Sequence, residues 1–267
     1  MNRVLITGGA GFLGSHLRDR LVRDGRDVLC VNNFFTGSKV NIARLIGNPY
    51  FELMRHDVTL PRYVKVDQIY NLACLASPIH SQFDPVQTTK AGMHGAINML
   101  GLAKRVKARV FQAPPRKSMA IRKSIPNPKA TGAASTPSIR ASARTRESFA
   151  GVTISLFYGD GSQTCSFCSV DGMIEGFVRM MESEPGFTGP VNLGNPGEFT
   201  KLELAENVLR LTGSRSKRTF KPLPTDDPRQ RQPDITLAKA KLDWEPNVPL
   251  EDGLKEIIAY FRKPRNA

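Results

Sequence analysis

The glycine-rich stretch "TGGAGFLG", from Thr7 to Gly14, restricts the possible folds of this chain more than any other part of the sequence. It follows the apolar run "RVLI" and leads into "FLGSHLRDRLVRDG", where leucines recur at helical spacing until a glycine ends the pattern. A tight turn at that place needs residues without a Cβ atom, and the helix that follows presents N–H groups and a positive dipole end. The order strand, glycine turn, helix therefore predicts a phosphate-binding loop built on Gly8, Gly11 and Gly14.

The segments after this turn alternate between two patterns. Further buried strands are predicted by "DVLCVNN", "YFELMRHDVT", "QIYNLACLAS" and "ARVFQA", and a helix is predicted by "AGMHGAINMLGLAKRVK". Strands that alternate with helices form right-handed βαβ units, so we predict an α/β fold with a Rossmann-type doubly wound parallel sheet. Helical periodicity returns in "SVDGMIEGFVRMMES", "KLELAENVLRLTG" and "PLEDGLKEIIAYFRK", which predicts a smaller C-terminal α/β substrate lobe.

The stretch from Pro114 to Arg146 interrupts this alternation. It contains eight Lys and Arg residues and no acid, out of a net charge of +14, whereas the remainder has 30 bases against 24 acids. The excess charge is therefore local, and a nucleic-acid partner, which would rest on this charge alone, is not expected. We predict a nucleotide-binding Rossmann portion at 1–113, a disordered basic segment at 114–150, and the rest of an incomplete sheet with the substrate lobe at 151–267.

Other classes of protein lack support in the sequence. No run of about 18 apolar residues is present, so a membrane partner is not expected. The N-terminus "MNRVLITGG" enters a strand pattern directly, without the layout of a signal peptide, and a cytoplasmic location is the expectation. Four cysteines are too few for a disulfide scaffold, and the pair Cys165 and Cys168 lacks the further ligands of a zinc site, so no metal is expected.

Several motifs occur here together. The glycine spacing, "VNNFFTG", "HDV", "NLACLASP", "NMLGLAKR" and "YGDGSQTCSFCSV" resemble the extended short-chain dehydrogenase/reductases that act on nucleotide sugars, and among them the UDP-glucuronate decarboxylases. The resemblance covers residues 1–113 and 151–263. It implies NAD as cofactor, a UDP-sugar substrate and a homodimer. It also implies oxidation at carbon 4 of UDP-glucuronate, loss of carbon dioxide β to the new ketone, and reduction of that ketone to give UDP-xylose.

The resemblance also implies a set of binding residues. The cofactor would lie against the glycine turn and the ends of the next three strands, at Gly8, Gly11, Phe12, Leu13, Gly14, Asn32, Asn33, Phe34, Thr36, Gly37, Asp57, Val58, Leu72, Ala73 and Ala76. The substrate would contact Tyr158, Gln163, Arg229 and Arg231. Asn32 stands where an acid normally binds the adenosine ribose, so we predict weakened NAD binding, because a neutral amide loses the charge-assisted hydrogen bond. Thr200 is interpreted as the start of a helix rather than as a site residue.

The catalytic residues that this chemistry requires are missing from the sequence. The family needs a Tyr with a Lys four residues later, where the positive charges lower the tyrosine pKa so that it accepts the hydroxyl proton. Lysine follows at that distance after none of the chain's tyrosines, which are Tyr50, Tyr63, Tyr70, Tyr158 and Tyr260. No catalytic residue can therefore be assigned.

The codons behind the basic segment offer an explanation. Shifting the reading frame by one base across Ala113 to Pro126 permits "STSEVYGDPEVHP", which is how the family continues after "RVFQA". We hypothesise that Pro114 to about Ser148 is the catalytic segment translated in the wrong frame, with several dozen further residues deleted. The chain is then an inactive UDP-glucuronate decarboxylase relative. The alternatives are a catalytically dead nucleotide-binding module and another UDP-sugar epimerase or dehydratase.

Overall fold

A computed structural model describes residues 2–74, 84–113, 154–158, 160–221 and 232–262. These residues fall in two compact units. One is drawn from Met1–Ser118 and Ile174–Phe187, and the other from Met119–Met173 and Thr188–Pro264. No helix in the described ranges is both long and apolar enough to cross a lipid bilayer.

The first unit contains a parallel sheet of five strands in the order β3-β2-β1-β4-β5. The strands are β1 Arg3–Thr7, β2 Asp27–Asn32, β3 Phe51–Arg55, β4 Gln68–Asn71 and β5 Arg109–Gln112. Every strand predicted for this part of the chain is present, and the reversal of strand order beside β1 confirms the doubly wound sheet. Apart from their first residues, β1 and β2 are buried throughout, as expected for strands whose two faces are both covered.

Helices connect these strands. They are α1 Phe12–Arg23, the short α2 Lys39–Ile42, which leads into a 3-10 turn at Ala43–Leu45, and α3 Pro85–Val106. Met99 and Leu102 of α3 pack in one hydrophobic cluster with Leu5, Leu29 and Ile69 of the sheet.

Helix α3 begins earlier than the apolar pattern from Ala91 predicts. The carboxylate of Asp84 accepts a hydrogen bond from the Gln87 backbone N–H at 2.8 Å, and Pro85 occupies the first turn. An aspartate cap followed by proline is a strong helix start, so the capping residues rather than the apolar periodicity set this boundary.

The second unit contains two small sheets. In the part of the chain that is described, β6 Ile154–Tyr158 pairs with β9 Lys217–Lys221 in parallel, and β7 Thr164–Ser166 pairs with β8 Glu198–Thr200 in antiparallel orientation. Among the described residues, no strand lies beyond β5 in the large sheet. The other helices of this unit are α5 Lys201–Thr212, α6 Thr236–Leu242 and α7 Leu250–Arg262, whereas α4 Val170–Glu182 begins here and belongs to the first unit from Ile174 onward.

Two contacts show how the sequence shapes this unit. Thr200 caps α5 as expected, because its hydroxyl accepts from the Glu203 backbone N–H at 3.0 Å while the Glu203 carboxylate accepts from the Thr200 backbone N–H at 2.7 Å. The buried Trp244 indole donates to the Gly172 carbonyl at 2.9 Å, so this large side chain is packed and also hydrogen-bonded.

Candidate nucleotide-binding site

The turn between β1 and α1 is too tight for side chains at two of its predicted glycines. A Cβ atom on Gly14 would lie 2.3 Å from the Gly8 carbonyl oxygen and 2.7 Å from the Cα atom of Gly9. Gly8 has φ +70°, and a Cβ atom there would lie 3.0 Å from the carbonyl oxygen of Leu72. The helix thus packs directly on the turn, and the turn packs on the end of β4. This close backbone approach is what a dinucleotide-binding loop requires.

The first turn of α1 can accept an anion. Gly11 is the N-cap and has no side chain to cap the helix, and no acidic residue occurs in the first turn, which includes the predicted Phe12 and Leu13. The Gly11 N–H donates to the Gly8 carbonyl at 2.9 Å, which fixes the path of the turn. An uncapped helix start with a positive dipole end fits a pyrophosphate group.

The end of β2 and the loop after it form a second side of the candidate site. Asn32 is buried, and its Oδ1 accepts from the Phe34 backbone N–H at 2.7 Å, where Phe34 has φ 61°. Asn33 repeats this turn one residue later, accepting from Phe35 N–H at 3.1 Å. A Cβ atom on Gly37 would lie 2.7 Å from Asn32 Oδ1, so glycine is required for the return of this loop. Thr36 is half-buried in the same loop.

Asp57 lies directly beyond β3. Its carboxylate accepts from the Thr59 backbone N–H at 2.9 Å, from Asn33 Nδ2 at 3.0 Å and from Gln87 Nε2 at 3.2 Å. Partial burial would raise the pKa of Asp57, but the hydrogen bonds from Thr59 and Asn33 outweigh it and hold the pKa below its usual value. Asp57 is therefore an oriented carboxylate that faces the same loop as Asn33. The neighbouring Val58 is buried, and Asn98 donates to its carbonyl at 2.9 Å.

A line of polar side chains, which the sequence patterns did not predict, crosses the carboxyl ends of three strands. The hydroxyl of Thr7 donates to Asn71 Oδ1 at 2.5 Å and accepts from the Ala73 backbone N–H at 3.1 Å. Asn71 in turn donates to Gln112 Oε1 at 2.8 Å, and Gln112 donates to the Ala113 carbonyl at 3.0 Å. Thr7 and Asn71 are buried, so the line fixes the ends of β1, β4 and β5 relative to one another. The sequence feature that could have indicated this line is the polar residue at the end of each of the three strands.

A buried arginine supports the glycine turn from behind. Arg18 is fully buried and donates to the carbonyls of Gly9 at 3.4 Å and Asn41 at 2.6 Å. Its charge is compensated by Asp19 at 2.8 Å. Burial raises the pKa of the neighbouring Cys30 thiol to about 11, although the charge of Arg18 acts in the opposite direction. The arginine thus links the turn to α2. Arg18 lies on the otherwise apolar face of α1. A charged residue within that apolar pattern is the one sequence feature that indicates its supporting role.

The structure brings together most predicted cofactor residues. The groups after β1, β2, β3 and β4 meet at the carboxyl edge of the large sheet, and the half-buried Leu72 and Ala73 belong to them. Ala76, Arg229 and Arg231 lie outside the described residues, as does the side chain of Tyr158, whose backbone ends β6. Gln163 is buried, and its Oε1 accepts no hydrogen bond from the described residues.

The tyrosines and cysteines with described side chains have other surroundings. Burial raises the pKa of Tyr70, which packs against Phe111 with 5.7 Å between ring centroids, so it is a core residue. Tyr63 lies under the Arg105 guanidinium at 4.5 Å. Among the described residues, His, Cys, Asp and Glu form no group of three that could hold a metal ion. The side chain of Cys165 is not among the described side chains.

Comparison with known proteins identifies the family to which this chain belongs. The sequence profile of GDP-mannose 4,6 dehydratase matches residues 5–114. UDP-glucuronic acid decarboxylase 1 from Arabidopsis thaliana is 41% identical to this chain, over 97% of the chain and 70% of the relative. The chain belongs to the UDP-glucuronic acid decarboxylase family. The enzyme of the same name from Danio rerio is also 41% identical, over 98% of this chain and 73% of its own length. The family resemblance read from the motifs is thereby confirmed.

The alignment with the Arabidopsis decarboxylase extends over 305 positions, whereas the chain has 267 residues, of which 97% take part. The Arabidopsis enzyme therefore has several dozen residues that have no counterpart in this chain. A mutant UDP-glucuronic acid 4-epimerase from Bacillus cereus, solved with NAD and UDP-4-deoxy-4-fluoro-glucuronic acid, shares the fold. Its TM-score is 0.76 at 21% identity, covering 98% of this chain and 99% of that one.

Proposed function

We propose that this chain is an NAD-binding, UDP-glucuronate decarboxylase-like protein that has lost its catalytic residues. The observation that carries the proposal is the contact between Gly14 and Gly8, where any side chain would collide with the phosphate loop. Bound NAD would supply the hydride acceptor for sugar oxidation. Its pyrophosphate would lie at the start of α1, its adenosine ribose beside Asn32, and its adenine beside Asp57 and Val58.

The second part of the proposal concerns the sugar nucleotide. We assign Tyr158, Gln163, Arg229 and Arg231 to its binding, and the parts 1–113 and 151–267 to cofactor and substrate respectively. Gln163 supports this assignment, because a buried amide oxygen without a described partner is available to a ligand donor. The two arginines suit a diphosphate because guanidinium groups bind phosphate oxygens in pairs.

The loss of activity follows from the missing Tyr and Lys. The several dozen unmatched positions of the decarboxylase alignment support the proposed deletion. In a test, the purified chain is incubated with NAD and UDP-glucuronate, and NAD binding is measured by calorimetry while UDP-xylose is measured by chromatography. Binding without UDP-xylose is expected. Formation of UDP-xylose would refute the loss of activity, and absence of NAD binding would refute the cofactor site.

The same experiment separates the alternatives. A module that only binds nucleotides should bind NAD with an affinity that UDP-sugars do not increase. A decarboxylase relative should bind UDP-glucuronate more tightly than UDP-glucose.

The nucleotide sequence across codons 110 to 155 tests the frameshift. An intact reading frame in which related genes encode the same basic stretch would contradict it. We further propose the cytoplasm as the location of this chain.

A homodimer is the proposed assembly. Helix α3 exposes four large apolar side chains at spacings that place them on one face: Val86, Met93, Ile97 and Leu100, each more than half exposed. An apolar face of this kind is typical of an interface between protein chains. Sedimentation of the chain should give a dimer, and Ile97→Glu should shift it toward the monomer.

A further inference from the structure

The end of β2 shows a feature that goes beyond NAD binding. Asn32 uses its oxygen inside the protein, because Oδ1 accepts from the Phe34 backbone N–H at 2.7 Å. The donor fixes the orientation of the amide, since a backbone N–H must face the oxygen and not the NH2 group. The Nδ2 group donates to none of the described residues. What Asn32 presents to a ligand is therefore a neutral hydrogen-bond donor.

A carboxylate at this position would act differently. It would accept hydrogen bonds from the ribose hydroxyls and, by its charge, repel a phosphate attached to the ribose. The amide of Asn32 removes both effects. Its free NH2 group instead complements an acceptor, and phosphate oxygens are strong acceptors.

A cation stands next to Asn32 on the neighbouring strand. Arg55 is its register partner in the parallel pair of β2 and β3, so both side chains leave the same face of the sheet from strands about 4.8 Å apart. Arg55 is exposed, and it makes neither a salt bridge nor a side-chain hydrogen bond with any residue that the structure describes. A guanidinium without a protein anion is available to an anionic ligand.

The other charges nearby do not cancel this arrangement. Asp57 is the anion on the adjoining loop, and its oxygens already accept from Thr59, Asn33 and Gln87. Lys39, two residues beyond the Gly37 that packs on Asn32, adds a second exposed positive charge. The summed charge of Arg55, Lys39 and Asp57 near the end of β2 is therefore positive.

We infer that the edge formed by Asn32 and Arg55 accepts a 2′-phosphorylated adenosine ribose, so that the chain binds NADP as well as NAD. The inference rests on the proposed dinucleotide site and adds the chemical class of ribose that it takes. It predicts that NADP binds with an affinity within about tenfold of that for NAD, because neither ligand meets a carboxylate at the ribose.

The test is calorimetric titration of the full chain at about 0.15 M salt, where long-range attraction to the basic segment is screened. The ligands are NAD, NADP, adenosine 5′-phosphate and adenosine 2′,5′-bisphosphate. Asn32→Asp should weaken NADP about tenfold or more, because the new carboxylate repels the phosphate, and should strengthen NAD, because the carboxylate accepts from the ribose hydroxyls. Arg55→Ala should weaken NADP by about tenfold and NAD much less, because one charge-assisted contact is lost. Arg23→Ala, which removes an exposed arginine at the opposite end of α1, should change both affinities by less than about twofold.

The outcomes separate the two proposals. If no ligand binds, both the dinucleotide site and the ribose preference are wrong. If NAD binds and NADP binds about a hundredfold more weakly or not at all, only the inference fails. Equal losses in Arg55→Ala and Arg23→Ala would also overturn it, since the effect would then be one of net charge. Circular dichroism of each variant establishes that the fold is kept, and Arg55→Lys provides a second substitution at the same place.

Discussion

Substitution of Gly14 by alanine isolates the close contact that shapes the glycine turn between β1 and α1. Alanine favours a helix over glycine by about 1 kcal/mol, so helical propensity alone predicts stabilisation. The added Cβ atom, however, would lie 2.3 Å from the Gly8 carbonyl oxygen, and real Cβ contacts essentially never fall below 3.0 Å. The turn has little room to move away, because even a Cβ atom on Gly8 would lie 3.0 Å from the Leu72 carbonyl oxygen. Overpacking of this kind costs about 1–3 kcal/mol, so we expect a net loss of up to about 2 kcal/mol in the free energy of unfolding.

Gly101→Ala is the matched control for this substitution. Gly101 also lies within a helix, but it is exposed, and a Cβ atom there would meet nothing within 4 Å. We expect it to raise the free energy of unfolding by about 1 kcal/mol. Urea unfolding followed by circular dichroism measures both values, and calorimetry measures NAD binding, which Gly14→Ala should abolish and Gly101→Ala should preserve. Equal stability and equal NAD affinity in the two variants would refute the close-contact reasoning.

Substitutions at three further residues test other parts of the structure. Thr7→Val should lower the free energy of unfolding by about 1–3 kcal/mol in urea titrations, because Asn71 and the strand end lose a buried hydroxyl partner, whereas Thr7→Ser should restore most of it. Thr200→Ala should cost about 1 kcal/mol in the same assay through loss of the α5 cap, and an unchanged midpoint would contradict that role. Hydrogen bonds from Arg179 and then Arg20 hold the pKa of Glu175 below its usual value, against partial burial, which raises it. Its stabilisation is thus complete above the unfolded pKa of about 4.3 and is lost as the pH falls through the lower folded pKa, so Glu175→Gln should flatten the acid limb of a stability–pH curve.

Sequence patterns predict the first unit well because its elements are locally encoded. The five apolar runs become five strands, and the glycine turn predicts both the start of α1 and the packing of Gly14 on Gly8. The apolar periodicity from Ala91 predicts too late a start for α3, because the helix begins at the Asp84 cap and Pro85, outside that periodicity. Local signals of turn and cap chemistry therefore carry as much information as hydrophobic spacing.

The polar contacts of the site are harder to predict from sequence. Thr7 and Asn71 are 64 residues apart, and only the register of β1 and β4 brings them to 2.5 Å. The support that Arg18 gives to the carbonyls of Gly9 and Asn41 likewise depends on where α2 packs. Contacts of this kind depend on tertiary packing, which single-sequence patterns do not encode.

The hydrogen-bonded line from Thr7 through Asn71 to Gln112 has a practical consequence for protein engineering. The ends of β1, β4 and β5 are held relative to one another by hydrogen bonds between residues of the sheet itself and Ala113. A synthetic loop joined at that point would leave a rim whose geometry is already fixed. New loops grafted after Ala113 should therefore leave the ends of these three strands in place.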